Sequence, residues 1–337
     1  MTKFLKDILK ILAIFFVMGT FCFKLSTEAN KIILNSKLFI LNSDVHGLII
    51  GDSHTMTSLN PGMLPSFVNF SQMVESYFYT YYKLKHLLEK NPQIKTVVLG
   101  YSYHNLVISQ DRSIIDPTYT NRAFDTYYCM LDKEAKSVIW QVNKKFISDY
   151  LRYEFGIPFG LYKNNIAVRS RALFGKTFTD ADRSFFGGYY RGSGTVLNDH
   201  ETDDYVLSIY YPGNDKSGIK ESAISVKYLH KILVMCTEKK IQVILYNAPL
   251  HPHLLKRIPN EAKTLFAALT KEISAHHPAV EYLDLSSMKL TDSMFGDSNH
   301  VNGAGADIVT KEFSSLLKIS NVNEALAKRQ GKAGIAD

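Results

Sequence analysis

Five short runs rich in Val, Ile and Leu recur along this chain, and most are followed by a longer segment with helical spacing. The runs are Val45–Ile50, Phe67–Phe70, Ile94–Gly100, Ile241–Tyr246 and Val280–Leu285. The helical segments are Gln72–Lys90, Ile219–Lys239, Glu261–His276 and Gly303–Leu317. Strands that are apolar throughout, instead of alternating with polar residues, are buried on both faces. Alternation with helices is how a parallel sheet covers those faces. The expected class is therefore α/β, with helices on both sides of a parallel sheet spanning residues 45–317.

Residues 105–218 break the rhythm. They contain a helical stretch, Lys133–Tyr153, and a loop-like region rich in Gly, Tyr and Asp from Phe185 to Gly218. This reads as an insertion after the third strand, and insertions at carboxyl ends of strands in open α/β sheets lie over the ligand crevice. Its tyrosines are a candidate substrate wall or simply loop packing. Residues 25–44 read as a linker and residues 318–337 as a polar tail.

Ahead of the sheet, Lys3, Lys6 and Lys10 precede thirteen uncharged residues, Ile11–Phe23. A basic segment followed by an apolar run is the pattern of an export signal or signal anchor. A full span wants about twenty apolar residues, and residues 4–23 reach that length by including Lys6, Asp7 and Lys10, whose lysines can snorkel. Residues 1–24 are thus a transmembrane or signal helix, and the lysines favour a cytoplasmic N-terminus with the body exported. The competing reading is an amphipathic or buried N-terminal helix of a cytosolic protein.

Composition enters through charge and cysteine. Of a formal net charge of +7, five units lie in residues 1–24 and 318–337. The body is nearly neutral and has no dense Lys/Arg run, so a nucleic-acid footprint is not expected. Three cysteines in 337 residues cannot build a disulfide scaffold, and spacing leaves open whether Cys129 and Cys236 pair.

The chemistry-bearing residues lie at strand ends. Strand one runs into Gly51-Asp52-Ser53-His54, where a tight turn before a helix can present the Ser53 hydroxyl at the sheet's carboxyl edge, beside helix N-terminal amides. Asp297-Ser298-Asn299-His300 follows strand five and precedes the last helix, which Asn302 caps. A serine nucleophile needs a base within hydrogen-bond reach and a carboxylate to orient that base. An Asp three residues before a His on one loop can supply both opposite Ser53.

Gly51-Asp52-Ser53 with Asp297-x-x-His300-x-Asn302, on the βα rhythm over residues 45–317, resembles the SGNH/GDSL hydrolase superfamily. The resemblance implies a flavodoxin-like three-layer α/β/α fold with a parallel sheet. It also implies Ser53 as nucleophile, His300 as base, Asp297 as its orienter, and no metal or organic cofactor. The middle blocks depart from the family pattern. No glycine follows strand two, where Ser71 or a neighbour would have to offer its amide, and Gly100-Tyr101-Ser102 places Ser102 where an asparagine usually stands, with Asn105 three residues on. Oxyanion donors are therefore sought among Ser53, Ser71, Ser102 and Asn105. Asp52, His54, His104, Asn247 and His251 are candidate pocket residues; a Pro-rich surface loop competes as the reading of the His251–His253 segment.

The implied activity is that of a membrane-anchored serine esterase or O-acyltransferase of the cell envelope, acting through an acyl-enzyme on an acylated glycan or lipid. The body would lie on the periplasmic or extracytoplasmic side. A catalytically weak glycan- or protein-binding module is the alternative, kept open by the altered middle blocks.

Overall fold

The computed structural model describes residues 2–143, 147, 150, 151, 153, 163–215 and 217–317. The expected tail 318–337 lies outside the described residues. Five strands, β1 (Gly47–Ile50), β2 (Phe67–Asn69), β3 (Thr96–Gly100), β4 (Gln242–Asn247) and β5 (Val280–Asp284), form one sheet in the order β2-β1-β3-β4-β5. Every pairing is parallel. This is the flavodoxin-like doubly wound order, in which the chain reverses direction between β1 and β3.

Alternate side chains go to opposite faces, and both faces are covered. Leu48, Ile50, Val97, Leu99, Val243 and Leu245 join one core cluster with residues of α3 (Tyr77–Lys90) and of the helices Ala223–Glu238 and Asn260–His276. Ile49, Val98, Ile244 and Tyr246 join a second cluster with Leu59 and with Ala306, Val309 and Phe313 of the closing helix 303–317. Burying each such aliphatic side chain is worth about 1.5–3 kcal/mol. That explains why the strand runs are apolar without interruption. The architecture is α/β with helices on both faces of a parallel sheet.

Three expectations need correcting. Residues 25–44 are not a linker. The first helix, α1 (Thr2–Leu34), runs through 33 residues, about 50 Å at 1.5 Å per residue. Its first two dozen residues are mostly exposed and apolar, whereas Ser26, Ala29 and Ile33 are buried along one face. That face meets the helix Lys163–Leu173, where Arg169 donates to Ser26 Oγ and to Asn30 Oδ1. Leu38, Phe39 and Leu41 then enter the core, pinned by Asn91, which donates to Phe39 O (2.7 Å) and accepts from Leu41 N–H (2.8 Å). α1 is long and apolar enough to cross a membrane, and its C-terminal part is built into the body.

The helix expected from Gln72 starts at Tyr77, because residues 71–75 are held by tertiary contacts. Gln72 N–H donates to Gly51 O (3.0 Å), and Glu75 turns inward to accept from Lys83, Thr80 and Tyr127. Propensity alone does not see such contacts. The region 185–218 carries a helix, Asp199–Tyr210, capped by Asn198 accepting from His200 N–H. The helical stretch from Lys133 is described to Val142.

Residues 101–222 leave the sheet after β3 and return before the helix Ala223–Glu238. Their ends are zipped by an antiparallel bridge between Val107 and Glu221, with Ile108 N–H on Lys220 O and Ser222 N–H on Leu106 O. Closing the excursion at its base lets a long insertion sit on the sheet at modest entropic cost.

Candidate functional site

β1 ends at the point where strand order reverses, the usual ligand position in such sheets. There the chain turns sharply into α2 (Ser53–Ser58). Gly51 has φ +147°, and a Cβ on it would lie 2.8 Å from Thr55 Oγ1 and 3.0 Å from Gly100 N, so only glycine fits. Asp52 is the N-cap, accepting from His54 N–H at 2.9 Å. Ser53 becomes the first helical residue, where a main-chain N–H has no acceptor within the helix.

The opposing loop is closed by a bridge between Phe295 and Val301, with Gly296 N–H on His300 O (2.8 Å) and Asn302 N–H on Met294 O (3.0 Å). Inside it, Asp297 Oδ1 accepts from Asn299 N–H (2.7 Å) and His300 N–H (2.8 Å), the local turn that an Asp side chain favours. His300 Nδ1 lies 3.0 Å from Asp297 Oδ2 and 3.1 Å from Oδ1, and His300 Nε2 lies 2.8 Å from Ser53 Oγ. Burial alone would raise the Asp297 carboxyl. The hydrogen bonds and charge of His300, together with the two main-chain amides, hold it below its ordinary value. An ionised Asp297 is acceptor-only, so Nδ1 donates to it and Nε2 is free to accept the serine proton.

Two segments brace this loop. His251 N–H donates to Ser298 O (3.1 Å), and Thr202 Oγ1 of the insertion helix donates to Ser298 Oγ (3.0 Å). Nothing in local sequence marks Thr202 for that task; its link to Ser298 spans 96 positions.

Behind Ser53 lies a second polar cluster. Asp52 Oδ2 accepts from His104 Nε2 (2.6 Å) and Asn105 Nδ2 (2.7 Å), while Asn105 Oδ1 accepts from Ser102 N–H (2.7 Å). Burial would raise the Asp52 carboxyl, but the charge and hydrogen bond of His104, with smaller contributions from His54 and Asn105, hold it well below the usual carboxylate range. The His54 ring packs at a tilt on His104 (4.3 Å between centroids) and edge-on to His300 (5.3 Å). Neither His54 ring nitrogen has a partner at hydrogen-bond distance. Burial first, and the neighbouring His104 second, push His54 down to about 3, leaving it neutral at ordinary pH.

These contacts sort the sequence candidates. Ser53, His300 and Asp297 come together. Asp52, His54 and His104 are buried beneath Ser53 and do not form a pocket wall. Asn247 is fully buried at the end of β4, with its carboxamide unpartnered, and His251 is buried, its ring 3.2 Å from Asp292 Oδ1. Two of the four oxyanion candidates have their main-chain donors committed: Ser71 N–H goes to Asn69 Oδ1 (2.9 Å) and Ser102 N–H goes to Asn105. Asn105 Nδ2 gives one of its two N–H groups to Asp52. Ser53 N–H remains, at the helix start.

A concavity of about 170 Å³ touches His300 and Asp297 and is walled by Asn198, Glu201 and Tyr205 of the insertion. A separate one, of about 530 Å³, is lined by Met56 of α2 and by residues 188–190. Among the described residues, no group of three or more His, Cys, Asp or Glu side chains is placed to hold a metal ion, and Cys22, Cys129 and Cys236 are free thiols. No protein-family model matches this chain, and no curated protein does.

Proposed function

We propose that this protein is an SGNH-type serine esterase or O-acyltransferase, anchored by α1 with its body exported, acting on an acyl ester of a cell-envelope glycan or lipid. The observation that carries the reading is the Ser53 Oγ–His300 Nε2 contact of 2.8 Å, backed by His300 Nδ1 on Asp297 at 3.0 Å. Ser53 Oγ attacks the ester carbonyl as His300 Nε2 takes its proton. The tetrahedral oxyanion forms against Ser53 N–H at the start of α2. Its collapse breaks the C–O bond, and His300 returns the proton to the leaving oxygen, giving an acyl-enzyme. Water or a sugar hydroxyl then attacks that carbonyl, again deprotonated by His300.

One observation favours a second reading, a catalytically weak surface module. The amides of Ser71 and Ser102 are already spent on other acceptors, and the carboxamide of Asn105 gives one of its two N–H groups to Asp52. Losing one oxyanion donor costs about two to three orders of magnitude in rate. Turnover of p-nitrophenyl acetate and labelling by a fluorophosphonate probe, for wild type against Ser53→Ala, decide between them. Turnover and labelling that vanish with Ser53 support the esterase reading; equal turnover in both proteins removes it.

A further inference from the structure

The smaller hollow lies on one side of the Ser53–His300 contact. Residues 297–300 form one wall and Val196, Asn198, Glu201 and Tyr205 of the insertion form the other, while Ser53 stays outside the lining. The hollow thus opens beside the base and not beside the nucleophile. Two oxygens stand next to His300 Nε2 in turn: the leaving oxygen that takes its proton, and the incoming hydroxyl that gives one up. By microscopic reversibility they occupy the same place. The acyl group, by contrast, hangs from Ser53. What this side of the site must house is the alcohol part of the ester.

The insertion wall is fixed to the catalytic loop. Val196 N–H donates to Gly296 O (2.7 Å), Gly303 N–H to Gly192 O (2.9 Å) and Thr202 Oγ1 to Ser298 Oγ (3.0 Å). Asn198, Glu201 and Tyr205, at i, i+3 and i+7, share one face of the helix Asp199–Tyr210 and its cap. At about 170 Å³ the hollow falls below the roughly 300–1,000 Å³ of sites for drug-sized ligands, so it admits one compact unit.

The charge on that wall is unspent. Along the same helix Asp199 and Asp203 pair with Arg257, and Asp204 meets His200. Glu201 has no ion pair or side-chain hydrogen bond among the described residues. No Lys or Arg lines the hollow, so an alcohol carrying a phosphate or carboxylate is repelled. A hydroxyl or an ammonium group finds an open acceptor in Glu201. Burial, and then the charge of Asp52, push the Tyr205 hydroxyl up, so it keeps its proton and can donate to an oxygen.

We propose that this hollow is the alcohol subsite, holding a compact uncharged or cationic alcohol as leaving group or acyl acceptor, with Glu201 excluding anionic ones. The assignment rests on the serine-esterase reading. The test uses the full chain in detergent micelles and three acetates that differ only in the alcohol: acetylcholine, glycerol monoacetate and O-acetylglycolate. Wild type is expected to consume the first two roughly tenfold faster than the third, by kcat/KM. Glu201→Lys is expected to move the acetylcholine-to-acetylglycolate ratio roughly tenfold or more towards the anion. Val196→Trp, which fills the hollow, is expected to lower kcat/KM for glycerol monoacetate by a similar factor. Both positions are exposed, so melting temperatures should stay at wild type. Across p-nitrophenyl acetate, butyrate and octanoate, which vary the acyl side alone, both variants are expected to keep the wild-type ranking. A ratio unmoved by Glu201→Lys, or a changed acyl ranking in place of a changed alcohol ranking, overturns the proposal. Binding of the three acetates to Ser53→Ala, read by saturation-transfer NMR, separates the subsite from the chemistry. The same preference in binding without Ser53-dependent turnover keeps the subsite and removes the esterase. Turnover without alcohol preference keeps the esterase and removes the subsite, and absence of both removes both.

Discussion

Two histidine–aspartate pairs flank Ser53, alike in chemistry and opposite in setting. His300 and Asp297 sit three residues apart on one loop, with side chains 21% and 46% exposed. His104 and Asp52 come from the ends of two adjacent strands and are only 9% and 6% exposed. His300 gives Nδ1 to its carboxylate and keeps Nε2 for the Ser53 hydroxyl. His104 spends Nε2 on Asp52, whose other oxygen holds the N-cap of α2. The first pair turns Nε2 to the Ser53 hydroxyl; the second ties its Nε2 into the turn that presents Ser53. The two histidines differ in which ring nitrogen meets the acid and in how deeply the pair is buried.

The largest effect that sharpens this contrast is on turnover. Ser53→Ala and His300→Ala are each expected to lower p-nitrophenyl acetate hydrolysis by about four orders of magnitude or more, with little change in melting temperature. Equal losses in the two variants would mark them as one unit. Comparable residual activity in wild type and variants would break the comparison at its reactive half.

Asp297→Asn follows, with an expected loss of about two to four orders of magnitude in kcat, since the amide no longer fixes the His300 tautomer. Asp297 is nearly half exposed, so thermal melting is expected to stay close to wild type.

Asp52→Ala should invert that pattern. It strands the His104 and Asn105 donors and the cap of α2, and breaking a buried pair costs about 3–5 kcal/mol. Differential scanning calorimetry should show the melting temperature falling by roughly 6–12 °C, on the scale of a domain this size. A variant that melts like wild type would show that the second pair does not hold the fold.

The smallest effect concerns His54. An unfolded chain protonates it near 6.5, the folded protein only near 3, so below 6.5 protons favour unfolding. Its contribution to stability is complete above pH 6.5 and is lost as pH falls towards 3. His54→Phe keeps a ring between His104 and His300 and removes this proton site. Melting curves from about pH 7 to about pH 5 should therefore fall less steeply for the variant than for wild type. Identical slopes would show that His54 is not held neutral.

Much of this contrast could not be read from the chain. The five strands were legible because burial on both faces forces uninterrupted apolar runs. Ser53 and the Asp297–His300 loop were legible because turn residues at two strand ends carry the residue types of a serine site. Asp52 looked like a pocket residue because a caps-and-turn motif does not say whether its carboxylate meets solvent or another strand's histidine. The 25–44 segment looked like a linker because its apolar positions, Ala29, Ile33, Leu38 and Phe39, make sense only against partners distant in sequence. The helix Asp199–Tyr210 was hidden by a polar, tyrosine-rich composition, and its role in bracing Ser298 was invisible for the same reason.

By itself the sequence determined the parallel α/β sheet, the apolar N-terminal helix and the two strand-end motifs, because each depends on local periodicity or on turn chemistry within a few residues. Tertiary structure alone decided that those motifs meet at 2.8 Å, that the Ser71 and Ser102 amides have spent their donors, and that Asp52, His54 and His104 lie underneath the site. These are matters of which groups exhaust one another's hydrogen bonds across distant segments, and a hydrogen bond satisfied across the fold leaves no mark on its neighbours in the chain.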